Sequence, residues 1–245
     1  MSRKIAVYVE GDTELIFVRE FLLKWFDYDG SAVGFRCYNL RDAEPPGHPT
    51  EYTYGADDPE RFYEIVNVGN DTSVLSKVIK NAERYRNLDF ERVVALRDMY
   101  CDNYHKHTSG RTINQELNTR FIEGAAKSIA DKGFSGFVMC HFAIMEVEAW
   151  ILGMGWYLER MDQSLTQQYL LDSLGLDLEA DPETTEYHPA DRLNDIYSLI
   201  GTSYGKHHTQ ANSIMGLLDK DDFMMLMSLG KCSSFSQFAS SLLNI

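Results

Sequence analysis

Residues 4–25 of this chain read KIAVYVEGDTELIFVREFLLKW, and this stretch predicts a strand, a tight turn and a helix. Residues 4–9 are rich in β-branched and aromatic side chains, which favour a strand. Apolar residues then recur at the helical spacing of positions 15, 18, 22 and 25. Gly11 permits the turn, Asp12 is predicted to cap the helix, and Glu14 suits its positive first turn.

The remainder of the chain repeats this alternation of strands and helices. Further strands are predicted at residues 34–40, 62–68, 92–96 and 136–144. A helix is predicted from residue 71 or 72 to 86. A polar loop at 99–110 is followed by a helix that ends at about 132, and another helix contains residues 146–152. Residues 41–60 are rich in proline and acidic side chains, so they are predicted to form a loop. From residue 156 only helical patterns follow, at 164–174, 190–200, 208–228 and 234–244.

These patterns predict the fold class. Strands that alternate with helices indicate an α/β domain with a mainly parallel sheet flanked by helices. Residues 93–96, Val-Val-Ala-Leu, are apolar on both faces, as a central parallel strand is. We therefore expect an α/β domain at residues 1–155 and a helical C-terminal extension at residues 156–245.

The charge of the chain limits the function classes that suit it. The 245 residues carry a net charge of −14, and residues 156–200 hold ten acidic and two basic residues, a net of −8. A strongly acidic chain is a poor clamp for duplex DNA, because phosphate contacts are made by lysine and arginine. An enzyme whose acidic site binds metal ions remains compatible with this charge. We expect the 156–200 segment to face solvent or a partner protein.

The apolar runs and the cysteines indicate the compartment. No apolar run approaches the ~20 residues that a membrane helix needs. The first apolar stretch is too short for a signal peptide and is interrupted by Glu10. The four cysteines are far apart and form no C-x-x-C pair, which argues against a zinc site or a disulfide framework. We expect a cytoplasmic protein without a membrane span.

Carboxylates follow three of the predicted strands. Glu10 follows the first strand, Asp98 follows the strand at 92–96, and Glu146 and Glu148 follow the last strand. Functional groups of open α/β sheets collect at the carboxyl ends of the strands. The turn into the first helix can bring Glu14 to the same side as Glu10. Mg²⁺ prefers carboxylate oxygens, so a metal site is predicted here. The alternative for each acid alone is a helix cap or a solvated side chain.

The order of these motifs resembles the TOPRIM superfamily, and in particular a bacterial branch of unknown function near the OLD-type nucleases. The resemblance spans nearly the whole chain, although each motif is short. The matching segments are Val9–Glu14 (an E-G-x-T-E turn), Asp98–Tyr100, Glu146–Trp150 (E-x-E-A-W), and Tyr204–Lys206 with residues 188–192 before it and 232–235 after it. The fold implied is a TOPRIM-like sheet.

The resemblance also implies roles for individual residues. Glu10, Glu14 and Asp98 are implied to hold Mg²⁺ or Mn²⁺. Tyr100 stands where a D-x-D motif would place a second aspartate, and Asp102, two residues further on, is the candidate substitute.

Three further residues are assigned with alternatives. Glu146 and Glu148 would complete the metal shell or act as a base, and Glu148 is favoured because Trp150 is expected to point inward. Packing or capping is the alternative for both. Lys206 is implied to lie near the scissile phosphate, where an ammonium offsets transition-state charge; the alternative is a surface lysine. Tyr104, Lys106 and Arg111 suit contact with a phosphate backbone or a stacked base, as they suit any polar loop.

The function that the resemblance implies is divalent-metal-dependent hydrolysis of phosphodiester bonds in DNA or RNA. Related proteins occur beside an ATPase in antiphage defence, so an ATPase partner is implied as well. Two alternatives remain open: a catalytically degenerate module that binds or regulates an ATPase through the 156–200 segment, and hydrolysis of a small phosphoester. The chain has no G-x-x-x-x-G-K-[ST] motif, which excludes a P-loop ATPase.

Overall fold

Six strands form one sheet in the computed structural model, which describes residues 2–40, 49–70, 73–108 and 110–244. The strands are β1 (Arg3–Val9), β2 (Val33–Asn39), β3 (Pro49–Tyr54), β4 (Arg61–Asn67), β5 (Arg92–Asp98) and β6 (Val138–Ala143). Their order is β3-β2-β4-β1-β5-β6, and all neighbours are parallel except β2 and β3. The predicted α/β fold with a mainly parallel sheet is confirmed.

Helices connect and flank the strands. The first five are α1 (Asp12–Trp25), α2 (Val74–Asn87), α3 (Asp102–His107), α4 (Gln115–Ala130) and α5 (Val147–Gly153). A 3₁₀ turn at Gly155–Tyr157 leads to α6 (Leu158–Met161), α7 (Gln167–Leu174), α8 (Pro182–Thr185), α9 (Pro189–Leu199), α10 (His208–Leu217), α11 (Lys220–Leu229) and α12 (Ser233–Leu243). The helical C-terminal part is confirmed. The predicted helix start at residues 71 and 72, like Ser109 in the polar loop, lies outside the described residues.

Strand β1 is central because it is apolar on both faces. Ile5, Val7 and Val9 pack in the cluster that contains α1, while Ala6 and Tyr8 pack in the cluster that contains α2. Side chains alternate between the faces of a strand, so each set supports one layer of helices. Helices α1 and α2 therefore lie on opposite faces of the sheet.

Strand β3 is a correction to the predicted loop at residues 41–60. Residues 49–54 pair antiparallel with β2 at the edge of the sheet, where proline is tolerated. The ring of Phe35 on β2 stacks on Tyr52 and Tyr54, with centroids 5.7 and 5.6 Å apart. This cross-strand aromatic packing overrides the local loop signals. Residues 41–48 lie outside the described part of the chain.

Two helix boundaries also differ from the prediction. Gly11, rather than Asp12, is the N-cap of α1, and Asp12 Oδ1 instead accepts a 2.7 Å hydrogen bond from Asn67 Nδ2 at the end of β4. The predicted helix at 208–228 is two helices, because Asp219 caps α11 by accepting a hydrogen bond from Asp222 N. An aspartate that can satisfy free backbone N–H groups favours a new helix start.

One hydrophobic cluster includes side chains from both parts of the chain. Phe17 of α1 lies 5.4 Å from Trp150 of α5, and Phe21 of α1 lies 5.0 Å from Phe223 of α11, measured between ring centroids. The C-terminal helices thus pack directly on α1. The domain boundary at residues 155 and 156 stays a prediction. Among the described residues, none of the helices combines the length and apolar character needed to cross a membrane.

Candidate metal centre

The carboxyl ends of three neighbouring strands carry polar side chains. Asn67 ends β4, Glu10 follows β1, and Asp98 ends β5, with β1 hydrogen-bonded between the other two. The chain leaves β1 towards α1 and leaves β4 towards α2, on the opposite face of the sheet. Neighbouring strands with such connections open a crevice in which α/β proteins bind ligands. The sheet therefore places Glu10 at a crevice suited to ligand binding, with Asp98 at the end of the next strand, β5.

Three carboxylates meet at this end of the sheet. Asp98, Glu146 and Glu148 each offer an oxygen, and these oxygens all lie within 4.8 Å of one another. The residues are 6%, 6% and 0% exposed. All three are among the residues that the sequence predicts as metal ligands. The roles themselves stay predictions.

The turn before α5 explains how residues two apart in sequence converge. Glu146 is the extended N-cap of α5 and Glu148 is in its first turn, so the two do not point to different sides as they would on a regular helix. Met145, just before them, is buried and has a φ of +66°. A non-glycine residue in this left-handed region costs about 1–3 kcal/mol and is characteristic of functional sites.

Hydrogen bonds hold the acids in place. Val147 N donates to Asp98 Oδ1 at 3.1 Å, and Asp98 N donates to Glu10 Oε2 at 3.2 Å. The backbone N–H of Ala190, in α9, donates to Glu146 Oε2 at 3.0 Å. The carboxylates are therefore oriented before any ligand arrives.

Tyr204 holds the third carboxylate. Its hydroxyl donates to Glu148 Oε1 at 2.8 Å. Burial, followed by the charge of Glu148, raises the pKa of Tyr204 above its ordinary value, so the hydroxyl remains protonated and able to donate. The sequence alone predicts no role for Tyr204, although Tyr204 begins the Tyr204–Lys206 segment that resembles the nuclease motif.

Lys206 reaches into the carboxylates from the loop before α10. Its Nζ lies 2.7 Å from Glu146 Oε1 and 3.2 Å from Glu148 Oε2, while 36% of its side chain is exposed. Burial acts to lower the pKa of Lys206, but Glu148, Asp98 and Glu146 outweigh it and raise the pKa above its ordinary value. Lys206 is thus a charged partner of the cluster.

One oxygen of the cluster has no hydrogen-bond partner in the part of the chain that the structure describes. Glu148 Oε2 is buried, and its 3.2 Å approach to Lys206 Nζ is an ion-pair distance without hydrogen-bond geometry. Buried polar atoms normally have a partner, and an exception calls for an explanation such as an ion. Since the donors here are all carboxylate oxygens, the residues fit a hard divalent cation such as Mg²⁺ or Mn²⁺.

Glu14 adds a further buried acid. A Cβ on residue 11 would lie 3.0 Å from Glu14 Oε2, so Gly11 allows the close approach of this carboxylate to the turn. Burial, then the charges of Glu148 and Glu10, raises the pKa of Glu14 to about 7. Burial, then the charge of Glu14, likewise raises the pKa of Asp98. Mutual repulsion of this kind is relieved by a bound cation.

Asp102 is not brought to this group. It is exposed at the start of α3 and lines, with Glu10, a separate cavity of about 900 Å³. The three carboxylates that meet within 4.8 Å do not include it. Its role as a substitute second aspartate stays a prediction without support from the geometry.

Tyr100, which replaces that aspartate, belongs to an aromatic group. Its ring lies 4.4 Å from both the His105 and the His188 rings, in edge-to-face contact. Its hydroxyl lies 3.3 Å from His188 Nε2. Mainly through burial, the pKa of His188 is lowered, so the imidazole is neutral at neutral pH. This group was not recognised from the sequence because its members lie in distant segments.

A comparison with known families identifies the chain. The model of the family described as "Domain of unknown function (DUF4276)" matches residues 9–242. The chain therefore belongs to the DUF4276 family. No match was found among curated proteins or solved structures.

Proposed function

We propose that this DUF4276 protein is a divalent-metal-dependent hydrolase that cleaves phosphodiester bonds in nucleic acid. The observation that carries the proposal is the convergence of Asp98, Glu146 and Glu148 within 4.8 Å. Buried like charges destabilise a fold unless a cation compensates them. Lys206 supplies one positive charge, so the three carboxylates and the ammonium keep a formal charge of −2. Oxygen-only donors favour Mg²⁺ or Mn²⁺ over softer metals.

The residues divide into metal ligands and charge-stabilising groups. Asp98 and Glu148 of the converging group would hold the metal, together with Glu10, which accepts a hydrogen bond from Asp98 N, and Glu14, whose pKa is raised by the charges of Glu148 and Glu10. A bound divalent ion supplies Lewis-acid polarisation of the phosphate and lowers the pKa of a water. Glu148 Oε2, which has no hydrogen-bond partner among the described residues, is the oxygen that would complete the metal shell or act as the base.

Lys206 and Glu146 form a pair beside these ligands. The Lys206 ammonium stabilises the negative charge that develops on the phosphate when water attacks and the P–O bond breaks. Glu146, held by both Lys206 Nζ and Ala190 N, orients that ammonium. In this assignment Glu146 does not bind the metal; it contributes to the site by holding the Lys206 ammonium in position.

We place the fold among TOPRIM-like domains on two features. The E-G-x-T-E turn directly follows β1, and Asp98 ends the adjacent strand β5. The resemblance of the sequence motifs to those of OLD-type nucleases extends the proposal to a role in antiphage defence with an ATPase partner. A cytoplasmic location accords with the four free thiols.

A second candidate function has its own observation. Tyr100 occupies the place of a second aspartate, and six of the ten acidic residues in 156–200 are exposed. These features favour a metal-binding module that regulates an ATPase without cleaving nucleic acid. Two other acids of that segment, Glu183 and Glu186, are buried and do not contribute to a docking face.

Cleavage assays test the proposal. Wild type, Glu10→Gln and Glu148→Gln are incubated with labelled single-stranded DNA, duplex DNA and RNA in millimolar Mn²⁺, Mg²⁺ or EDTA. We expect cleavage only with metal and a loss of about 10²-fold or more in each variant. Glu179→Gln, which removes an exposed carboxylate, is the matched control and should cleave at the wild-type rate.

The outcomes separate the candidates. Mn²⁺ binding without cleavage of any of the three substrates would favour the regulatory module. Wild-type cleavage by Glu148→Gln would show that the carboxylate group is not the active centre.

A further inference from the structure

Two cavities of different character meet at Lys206. One, of about 300 Å³, is lined by Glu10, Asp12, Glu14, Asp98 and Lys206, which sum to a formal charge of −3. The other, of about 570 Å³, is lined by Glu146, Asp191, Arg111 and Lys206, which sum to zero, together with aromatic residues. The first cavity therefore suits a cation, and the second suits an uncharged group.

Aromatic rings form one part of the second cavity. Tyr100 and His188 line it, with ring centroids 4.4 Å apart and planes at 71°. The Tyr100 ring is also packed against Tyr187 at 5.7 Å. These contacts orient Tyr100, and it lines the 900 Å³ cavity as well, so it stands between two open spaces. An oriented and accessible ring is a surface on which a flat ligand can stack.

We infer that the 570 Å³ cavity binds an unpaired nucleobase of the strand to be cleaved, with the Tyr100 ring as the stacking surface and the nearly perpendicular His188 ring beside it. The substrate class is then single-stranded nucleic acid, and this identification of the ligand rests on the proposed function. Lys206 and Glu146 line the cavity, so a base seated there places its own phosphate beside the carboxylate cluster.

The charges favour a base over a phosphate in this cavity. A phosphate pocket needs an excess of positive charge, whereas the two cations here are matched by two anions. Asn194, Asp191 and His188 offer polar groups along the lining, which suits the edge of a base. Stacking on an aromatic ring contributes for any base and is tolerant of sequence.

Duplex nucleic acid does not fit this arrangement. A base within a duplex is stacked and paired, so it reaches a pocket only after costly extrusion. The net charge of −14 also disfavours an extended backbone clamp. A single strand presents its bases without that cost.

A binding assay that does not depend on cleavage tests the inference. The probe is a short single strand carrying 2-aminopurine, whose fluorescence is quenched on stacking, with Ca²⁺ in place of Mn²⁺. We expect quenching with wild type and with Tyr100→Phe, and about tenfold weaker binding with Tyr100→Ala. Tyr169→Ala removes a tyrosine that is 40% exposed on α7 and is the matched control, expected to bind as wild type does.

A comparison on wild type alone avoids any folding defect of the variants. An otherwise identical strand with an abasic site at the probe position should bind about tenfold more weakly than the base-containing strand. Equal binding of the two strands would overturn the inference, as would Tyr100→Ala binding like Tyr169→Ala. Those outcomes would overturn the base site but leave the proposed metal-dependent cleavage untouched. Conversely, Tyr100-dependent quenching would support the base site even if no cleavage occurred.

Discussion

Replacing Lys206 with methionine tests the electrostatic account of the site. Lys206 is the ammonium closest to Glu146 and Glu148, at 2.7 and 3.2 Å. Methionine keeps much of the apolar stem and removes the charge. Two opposite effects should follow. The metal-free protein should lose stability, because the buried carboxylates lose their counter-charge, and Mn²⁺ should bind more tightly, because the ammonium no longer repels it.

The loss of stability is bounded by the burial of the pair. Removing one partner of a fully buried ion pair costs about 3–5 kcal/mol, whereas exposed pairs contribute about 0–1 kcal/mol. Lys206 is 36% exposed and its partners are buried, so we expect an intermediate cost of about 2 kcal/mol. For a chain of this length that lowers the Tm by about 4–8 °C.

The gain in metal affinity follows from Coulomb's law. A unit charge and a double charge about 4 Å apart repel by about 2 kcal/mol even at the dielectric constant of water. A flexible lysine relieves part of this by withdrawing towards solvent, so we expect Mn²⁺ to bind about tenfold more tightly to Lys206→Met. Turnover should nevertheless fall, because the variant lacks the charge that stabilises the phosphate.

Thermal melts in EDTA and in Mn²⁺, with titration calorimetry, measure both effects. Lys220→Met is the matched control: its side chain is 34% exposed and pairs at 2.6 Å with Asp27, which is itself 73% exposed. An exposed pair of this kind contributes no more than about 1 kcal/mol, so that variant should lower the Tm by no more than about 2–4 °C. Weaker Mn²⁺ binding by Lys206→Met, or a metal-free Tm equal to that of Lys220→Met, would refute the reasoning.

Three further predictions concern single titratable groups. Burial lowers the pKa of His141 to about 4, so the folded state binds fewer protons than the unfolded state below pH 6.5. As pH falls from 6.5 to 4, His141 should therefore lower the free energy of unfolding by up to about 1.4 kcal/mol per pH unit. Urea unfolding at several pH values measures this slope, and His141→Phe should remove the contribution of His141. Glu14, with its pKa raised to about 7, must lose a proton to bind metal, and the pKa of the neighbouring ligand Asp98 is raised as well, so calorimetry should show Mn²⁺ affinity rising as pH rises through about 7; a flat profile would contradict this. Asp102→Asn should keep the full Mn²⁺-induced rise in Tm, since Asp102 is exposed and outside the carboxylate group; a loss of the rise in thermal melts would make Asp102 a ligand.

Local patterns were sufficient for much of the sheet. The strand and helix within residues 4–25 were predicted because alternation and helical spacing are visible within a few residues. The apolar strand β5 was predicted for the same reason. Acids at the ends of β1 and β5 then had to share one edge, since parallel strands end on the same side.

The remaining features depended on contacts between distant segments. β3 was missed because its pairing with β2 and the stacking of Tyr52 on Phe35 are absent from local sequence. Glu146 and Glu148 converge because Glu146 is the extended N-cap of α5 and Glu148 lies in its first turn, and no residue pattern signals this geometry.

Lys206 and Tyr204 meet these acids only because the C-terminal helices pack on the sheet. Lys206 lies 60 residues from Glu146 in sequence, and Tyr204 lies 56 residues from Glu148. The sequence by itself determined the strand-and-helix framework and the acids at its edge, because those follow from local periodicity. The tertiary structure alone decided the charge balance and the aromatic lining of the site, because long-range packing sets which side chains meet.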